Sequence, residues 1–149
     1  MTDISFYHLQ RQPLENALPK LLERIIEAGM RAIVVADTED RVEALNSHLW
    51  TYDPAAFLPH GSSRDGSAGD QPIYLTTEED NPNEAVVLVL VDGRSPSTVA
   101  DYDRCLDMFD GNDESAVEQA RDRWKTYKAA GHTVTYWQQS DEGRWEKKG

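Results

Sequence analysis

The sequence predicts an α/β fold, a single domain with a mostly parallel sheet flanked by helices. Three observations carry the prediction. The chain opens strand, helix, strand, helix, the pattern of a βαβ unit. Two nearly unbroken apolar runs, Arg31-Ala32-Ile33-Val34-Val35-Ala36 and Ala85-Val86-Val87-Leu88-Val89-Leu90-Val91, suit strands covered on both faces. A long amphipathic helix pattern near the end is followed by the alternating run Thr133-Val134-Thr135-Tyr136-Trp137. At 149 residues the chain is long enough to bury one sizeable core.

Taken in order, Ile4-Ser5-Phe6-Tyr7-His8-Leu9 is aromatic and β-branched and predicts the first strand. Leu14, Leu18, Leu21, Leu22, Ile25 and Ile26 recur at helical spacing, and Gly29 supplies a stop. The first apolar run follows. Asp37 or Thr38 caps the next helix, whose buried side is Val42, Leu45 and Leu49. From Trp50 to Pro72 the periodicity breaks, and Gly61 to Gly69 reads as loop. Pro72 to Leu75 predicts a short strand, and Asn81-Pro82-Asn83 a turn before the second apolar run. A short helix is predicted over Ser97 to Arg104, then a strand over Cys105 to Phe109. Asp113 to Ala130 predicts the last helix, ended by Gly131.

Charge narrows the function classes. With 27 acidic and 15 basic residues the net charge is −12, which disfavours direct nucleic-acid binding, because that draws affinity from Lys and Arg on phosphates. No apolar run approaches the eighteen or so residues of a membrane span. The start has no secretory pattern, and one cysteine, Cys105, cannot form an internal disulfide. A cytoplasmic protein is expected, with a protein as its direct ligand.

Catalytic motifs are tested and set aside. Gly61 and Gly66 have the glycine spacing of a phosphate loop, but Ser67 and Ala68 occupy the positions of its lysine and hydroxyl residue. No dinucleotide fingerprint opens an early helix, so no nucleotide cofactor is expected. Asp37 and Asp92 each follow a central strand, yet they lack a partner base or metal-ligand cluster. His8, His48, His60 and His132 are scattered without zinc-ligand spacing, and no metal is expected. Ser62 and Ser63 lack the nucleophile-elbow pattern.

The run Glu118 to Lys128 is the most informative. Val117, Ala120, Trp124 and Tyr127 form one apolar stripe, while Arg121, Lys125 and Lys128 share another side. At about 100° per residue the basic row lies roughly 80° around from the stripe. A basic row beside an aromatic edge can receive an acidic, aromatic-tipped peptide. Periodicity alone leaves the other reading open, in which basic residues near a helix C-terminus simply complement its dipole. Trp50 and Phe57, flanking Tyr52 and Pro54, fit either loop packing or an exposed protein interface.

The residues Phe6-Tyr7-His8-Leu9, then Leu49-Trp50 with Phe57-Leu58-Pro59-His60, then Arg121-Asp122-Arg123-Trp124-Lys125-Thr126-Tyr127-Lys128-Ala129-Ala130-Gly131-His132, stand in an order and spacing that resemble the chi subunit family of DNA polymerase III. The departures are the acidic turn from Asp110 to Glu114 and the extension after Trp137. The resemblance implies a Rossmann-like, helicase-domain-like fold without a phosphate loop; the residues divide the chain into a domain spanning 1–139 and a polar tail, 140–149, expected as a hairpin or disordered. It implies a non-catalytic adaptor that binds the acidic C-terminal tail of single-stranded DNA-binding protein through Arg121, Trp124, Lys125 and Lys128. It further implies a second surface, Trp50 and Phe57, for the psi subunit of the clamp-loader complex or a helicase-like alternative, so that DNA is reached indirectly. The rival functions are a small nucleotide-binding or hydrolysing enzyme and a direct single-stranded DNA binder.

Overall fold

Both long apolar runs lie in the middle of one eight-stranded sheet of order β3-β4-β2-β5-β6-β1-β7-β8. A computed structural model of the chain describes residues 2–9, 14–52, 60–62, 69, 71–78, 81, 83–93, 99–139 and 145–147. Its strands are β1 (Asp3–Leu9), β2 (Ala32–Val35), β3 (Gly61–Ser62), β4 (Ile73–Thr76), β5 (Val87–Leu90), β6 (Arg104–Asp110), β7 (Thr133–Gln139) and β8 (Trp145–Lys147). The helices are α1 (Leu14–Glu27), α2 (Glu39–Thr51) and α3 (Glu114–Ala129). Every pairing is parallel except β7 with β8. This is the mostly parallel α/β sheet that the sequence predicts.

The apolar runs are unbroken because successive side chains enter two different cores. In β2, Ala32 and Val34 join the cluster under α1 and α2, while Ile33 and Val35 join the cluster under α3. In β5, Val87 and Val89 face the first, Leu88 and Leu90 the second. Covering both faces in this way removes any need for polar alternation. Gly29 and Gly131 follow α1 and α3 at φ of 75° and 90°, a region that favours glycine, and so turn the chain out of each helix. Thr38 caps α2 by accepting from Arg41 N at 3.1 Å, and Asp113 caps α3 by accepting from the Ser115 and Ala116 amides.

Pro19 sits inside α1 and has no N–H for the carbonyl of Glu15. The imidazole Nε2 of His48 takes that carbonyl instead, at 2.6 Å, and so pins α2 to α1. A loss within one helix thus becomes a bond between two.

The chain differs from its sequence reading in three places. Residues 61–62, expected in a loop, form the edge strand β3 against Tyr74 and Leu75. Helix α2 runs through Thr51, so Trp50 belongs to its last turn rather than to the loop. The helix expected from Ser97 to Arg104 is a single turn of 3-10 helix at Val99–Asp101, and Arg104 already starts β6; residues 94–98 lie outside the described residues. The cause is tertiary: Thr2 donates its hydroxyl to the carbonyls of Val99 and Tyr102, and Val86 O accepts from the amides of Asp103 and Arg104. Those bonds draw the segment into the sheet before a second helical turn can form. Residues 145–147 pair antiparallel with β7 as a hairpin strand, with Trp137 opposite Lys147, which is one of the two forms expected of the tail.

Candidate functional site

Helix α3 presents three unlike sides. Ala120 and Tyr127 are buried in the second core, and Val117 and Trp124 are half-buried against it. Arg121, Lys125 and Lys128 are exposed. The Lys128 ammonium lies 5.9 Å from the centre of the Trp124 ring, within reach of a cation–π attraction. Trp124 packs on Phe6 at 5.7 Å and on Tyr136 at 5.9 Å between ring centres. A half-buried indole is thereby fixed beside an exposed basic row.

A fourth basic residue of the same run behaves differently. Arg123 is 8% exposed, and its guanidinium donates two hydrogen bonds to Asp107 of β6, Nε to Oδ2 at 2.7 Å and Nη2 to Oδ1 at 3.0 Å. Asp107 is 1% exposed. Burial raises its carboxyl above the usual carboxylate range, with Arg123 opposing. This pair bolts α3 to the sheet and so fixes which residues face out. Sequence reading missed it, although a signal existed: Arg123 falls three residues after Ala120 and four before Tyr127, and Asp107 interrupts the apolar run Cys105-Leu106 to Met108-Phe109. A charge on the buried side of a helix and a charge inside a buried strand are a natural pair.

Below α3 lies His8, buried at the end of β1 and bonded through Nδ1 to the Tyr136 hydroxyl. Gly111, in the turn that leads to α3, packs flat against the His8 ring, and a Cβ there would overlap the imidazole and stand 2.8 Å from the Leu9 carbonyl. Gly111→Ala is therefore expected to destabilise the protein by roughly 1–3 kcal/mol, read as a lower denaturant midpoint at unchanged m. A wild-type midpoint would show that the turn yields freely.

The second predicted surface is described in part. Trp50 is 51% exposed, with its ring 4.2 Å from that of His60. Phe57 lies outside the described residues. Trp50 stands on α2, which packs on the opposite face of the sheet from α3.

A cavity of about 650 Å³ opens elsewhere, at the carboxyl ends of β1, β5 and β6, where α/β folds commonly hold ligands. Its lining includes Arg41, Asp92, Asp110, Gln119 and Arg123. Arg41 is already bound to Asp92 at 3.2 Å and to Glu15 at 3.0 Å, and Arg123 to Asp107. Both guanidinium groups thus have carboxylate partners, and Asp92 is a structural ion-pair partner. Asp37, its companion in the sequence reading, is exposed at the start of α2, where its amide points at Asp92 Oδ2 from 3.4 Å. Cys105 is fully buried, and burial pushes its thiol well above the ordinary range, which leaves it an inert hydrophobe. Among the described residues no group of three or more potential metal ligands occurs, and no helix is long and apolar enough to cross a membrane.

Residues 1–135 match the family described as DNA polymerase III chi subunit, HolC. The chain is similar to a probable DNA polymerase III subunit chi of Rickettsia prowazekii, 36% identical over 100 residues, which are 67% of this chain and 59% of that protein. It is also similar to the subunit chi of Pseudomonas aeruginosa, 24% identical over 90% of this chain and 94% of the relative, and to that of Escherichia coli, 21% identical over 90% and 96%. The matched span contains Trp50, the buried Arg123 and the whole basic row of α3; the chain belongs to the DNA polymerase III chi subunit family.

Proposed function

We propose that this chi-family protein is a non-catalytic adaptor that grips the acidic C-terminal tail of single-stranded DNA-binding protein on α3 and a second replication protein on α2. The observation that carries the reading is the exposed row Arg121, Lys125 and Lys128 beside the fixed, half-buried Trp124, on a chain whose net charge is −12. Local positive charge on an otherwise negative molecule selects an anionic chain end over a nucleic acid backbone, which would meet repulsion along its length. A carboxylate finds forked donors at Arg121, and an aromatic tip finds an apolar wall at Trp124.

The opposite placement of Trp50 supports the two-partner reading. Surfaces on opposite faces of one sheet can be occupied together, as a tether requires. The second partner is the psi subunit, or a helicase-like protein in its place, and contact with DNA is indirect. A weak grip gains strength where many tails are displayed side by side, through effective concentration. The carboxylate pairing of Arg41 and Arg123 argues against the rival nucleotide enzyme, because a phosphate would have to displace an existing partner at either arginine.

Calorimetric titration with an acidic peptide ending in a free-carboxylate phenylalanine tests the reading. Binding is expected at low salt, weakening as ionic strength rises. Absence of heat at every salt concentration would overturn it. Trp50→Ala is expected to leave that titration unchanged while weakening capture of psi in a pull-down. Loss of both together would instead report unfolding.

A further inference from the structure

The aromatic wall beside the basic row extends beyond α3. Tyr136 of β7 meets Trp124 edge-on, with ring centres 5.9 Å apart at 73°. The same ring packs against Phe109 at 6.2 Å and His8 at 5.8 Å, and it is half-buried. Its hydroxyl is bonded to His8 Nδ1, while His8 Nε2 is buried against the Gly111 backbone, short of a well-formed hydrogen bond. His8 thus holds Tyr136 by one nitrogen and faces the Gly111 backbone with the other.

We propose, building on the tail-binding reading, that Tyr136 forms part of the surface that grips the aromatic-tipped anionic peptide, and that His8 is its positioning residue, coupling the grip to proton uptake. Tyr136 lies one residue beyond the family match.

The groups facing His8 decide the sign. Burial lowers its pKa, the Gly111 backbone favours the protonated ring, Arg121 on α3 disfavours it, and Asp110 at the end of β6 favours it. Tyr136, facing it from β7, is itself raised by burial with Arg121 opposing. Arg121 therefore reaches both members of the pair electrostatically. In the unliganded protein burial therefore disfavours the charged imidazole. A carboxylate seated on Arg121 offsets the charge that opposes protonation, so His8 binds a proton more readily in the complex. Linkage is reciprocal, and protonation then favours the peptide. Affinity is expected to rise as pH falls through the imidazole range and to level off above it. Unliganded stability moves the other way: a His whose folded pKa is depressed loses its stabilising contribution on acidification. Measurement from pH 5.5 upward keeps the peptide carboxylates ionised.

The test is calorimetry with the same acidic phenylalanine-ended peptide, run from pH 5.5 to 7.5 in buffers of differing ionisation enthalpy. Wild type is expected to bind about threefold more tightly at pH 5.5 and to take up protons. Tyr136→Ser should weaken binding about fivefold or more at pH 7.5, from loss of the ring's contact area. Tyr136→Phe, which keeps the ring, should bind within about twofold of wild type with less proton uptake. His8→Leu should flatten the pH profile, a readout that a purely structural role would not move, and it separates His8 from His132 and the other imidazoles. Wild-type affinity in Tyr136→Ser would overturn the role of Tyr136. A wild-type pH profile in His8→Leu would overturn the positioning role. If the wild-type protein itself gives no heat, the tail-binding reading falls and takes this inference with it.

Discussion

Arg123→Ala is expected to cost about 3–5 kcal/mol of folding stability, because it leaves the Asp107 carboxylate buried without its partner. Both oxygens of that carboxylate accept from the guanidinium, at 2.7 and 3.0 Å, and Asp107 is 1% exposed. Burial already raises the carboxyl with Arg123 in place, so removing Arg123 raises it further. The sign of the pH dependence follows. A group whose folded pKa is raised contributes most at low pH and loses that contribution as pH rises through the folded value. The deficit of Arg123→Ala should therefore be largest at neutral pH and shrink as pH falls into the range where Asp107 is protonated. Denaturant midpoints at several pH values measure this.

Replacing both members, Asp107→Leu with Arg123→Met, should recover most of the loss, since a buried ion pair exchanged for apolar groups of similar size is often neutral or stabilising. An Arg123→Ala protein as stable as wild type would mean that α3 is held by its apolar contacts alone. The pair would then have no part in setting which side of the helix faces out.

The fold was legible wherever local chemistry and tertiary demand agree. The apolar runs at Ala32 and Val87, the cap at Asp113 and the stops at Gly29 and Gly131 each express one physical constraint confined to neighbouring residues. What escaped depends on residues remote in sequence. Gly61 and Ser62 become a strand only because β4 offers its edge, and Val99 to Arg104 is drawn from helix to sheet by Thr2 and Val86. The basic row of α3 could be read from its spacing, since exposure needs no partner. Arg123 in the midst of that row is separable from it only by its spacing from Ala120 and Tyr127, and the partner that explains its burial lies sixteen residues away. The His8–Tyr136 bond, between residues 128 apart, leaves no local signature at all. Phe57, paired with Trp50 by resemblance, lies outside the described residues.

Arg121→Ala is expected to weaken binding of the acidic peptide at least tenfold while leaving the fold intact. The two halves of that statement have separate grounds. Arg121 is exposed, and replacement by alanine on a helix exterior keeps helix propensity, so the denaturation midpoint should stay near wild type. Its guanidinium is the forked donor of the row, able to meet a terminal carboxylate with two parallel hydrogen bonds, which an ammonium cannot reproduce. Lys125→Ala should cost less, as a point charge screened by solvent. Lys128→Ala should be intermediate, because its ammonium also lies over the Trp124 face. Arg121→Lys distinguishes charge from geometry: if it binds like wild type, charge alone suffices, and if it behaves like the alanine variant, the fork is what the tail recognises. Unchanged affinity in Arg121→Ala would remove this residue from the site and return the basic row to the simpler role of balancing the dipole of α3.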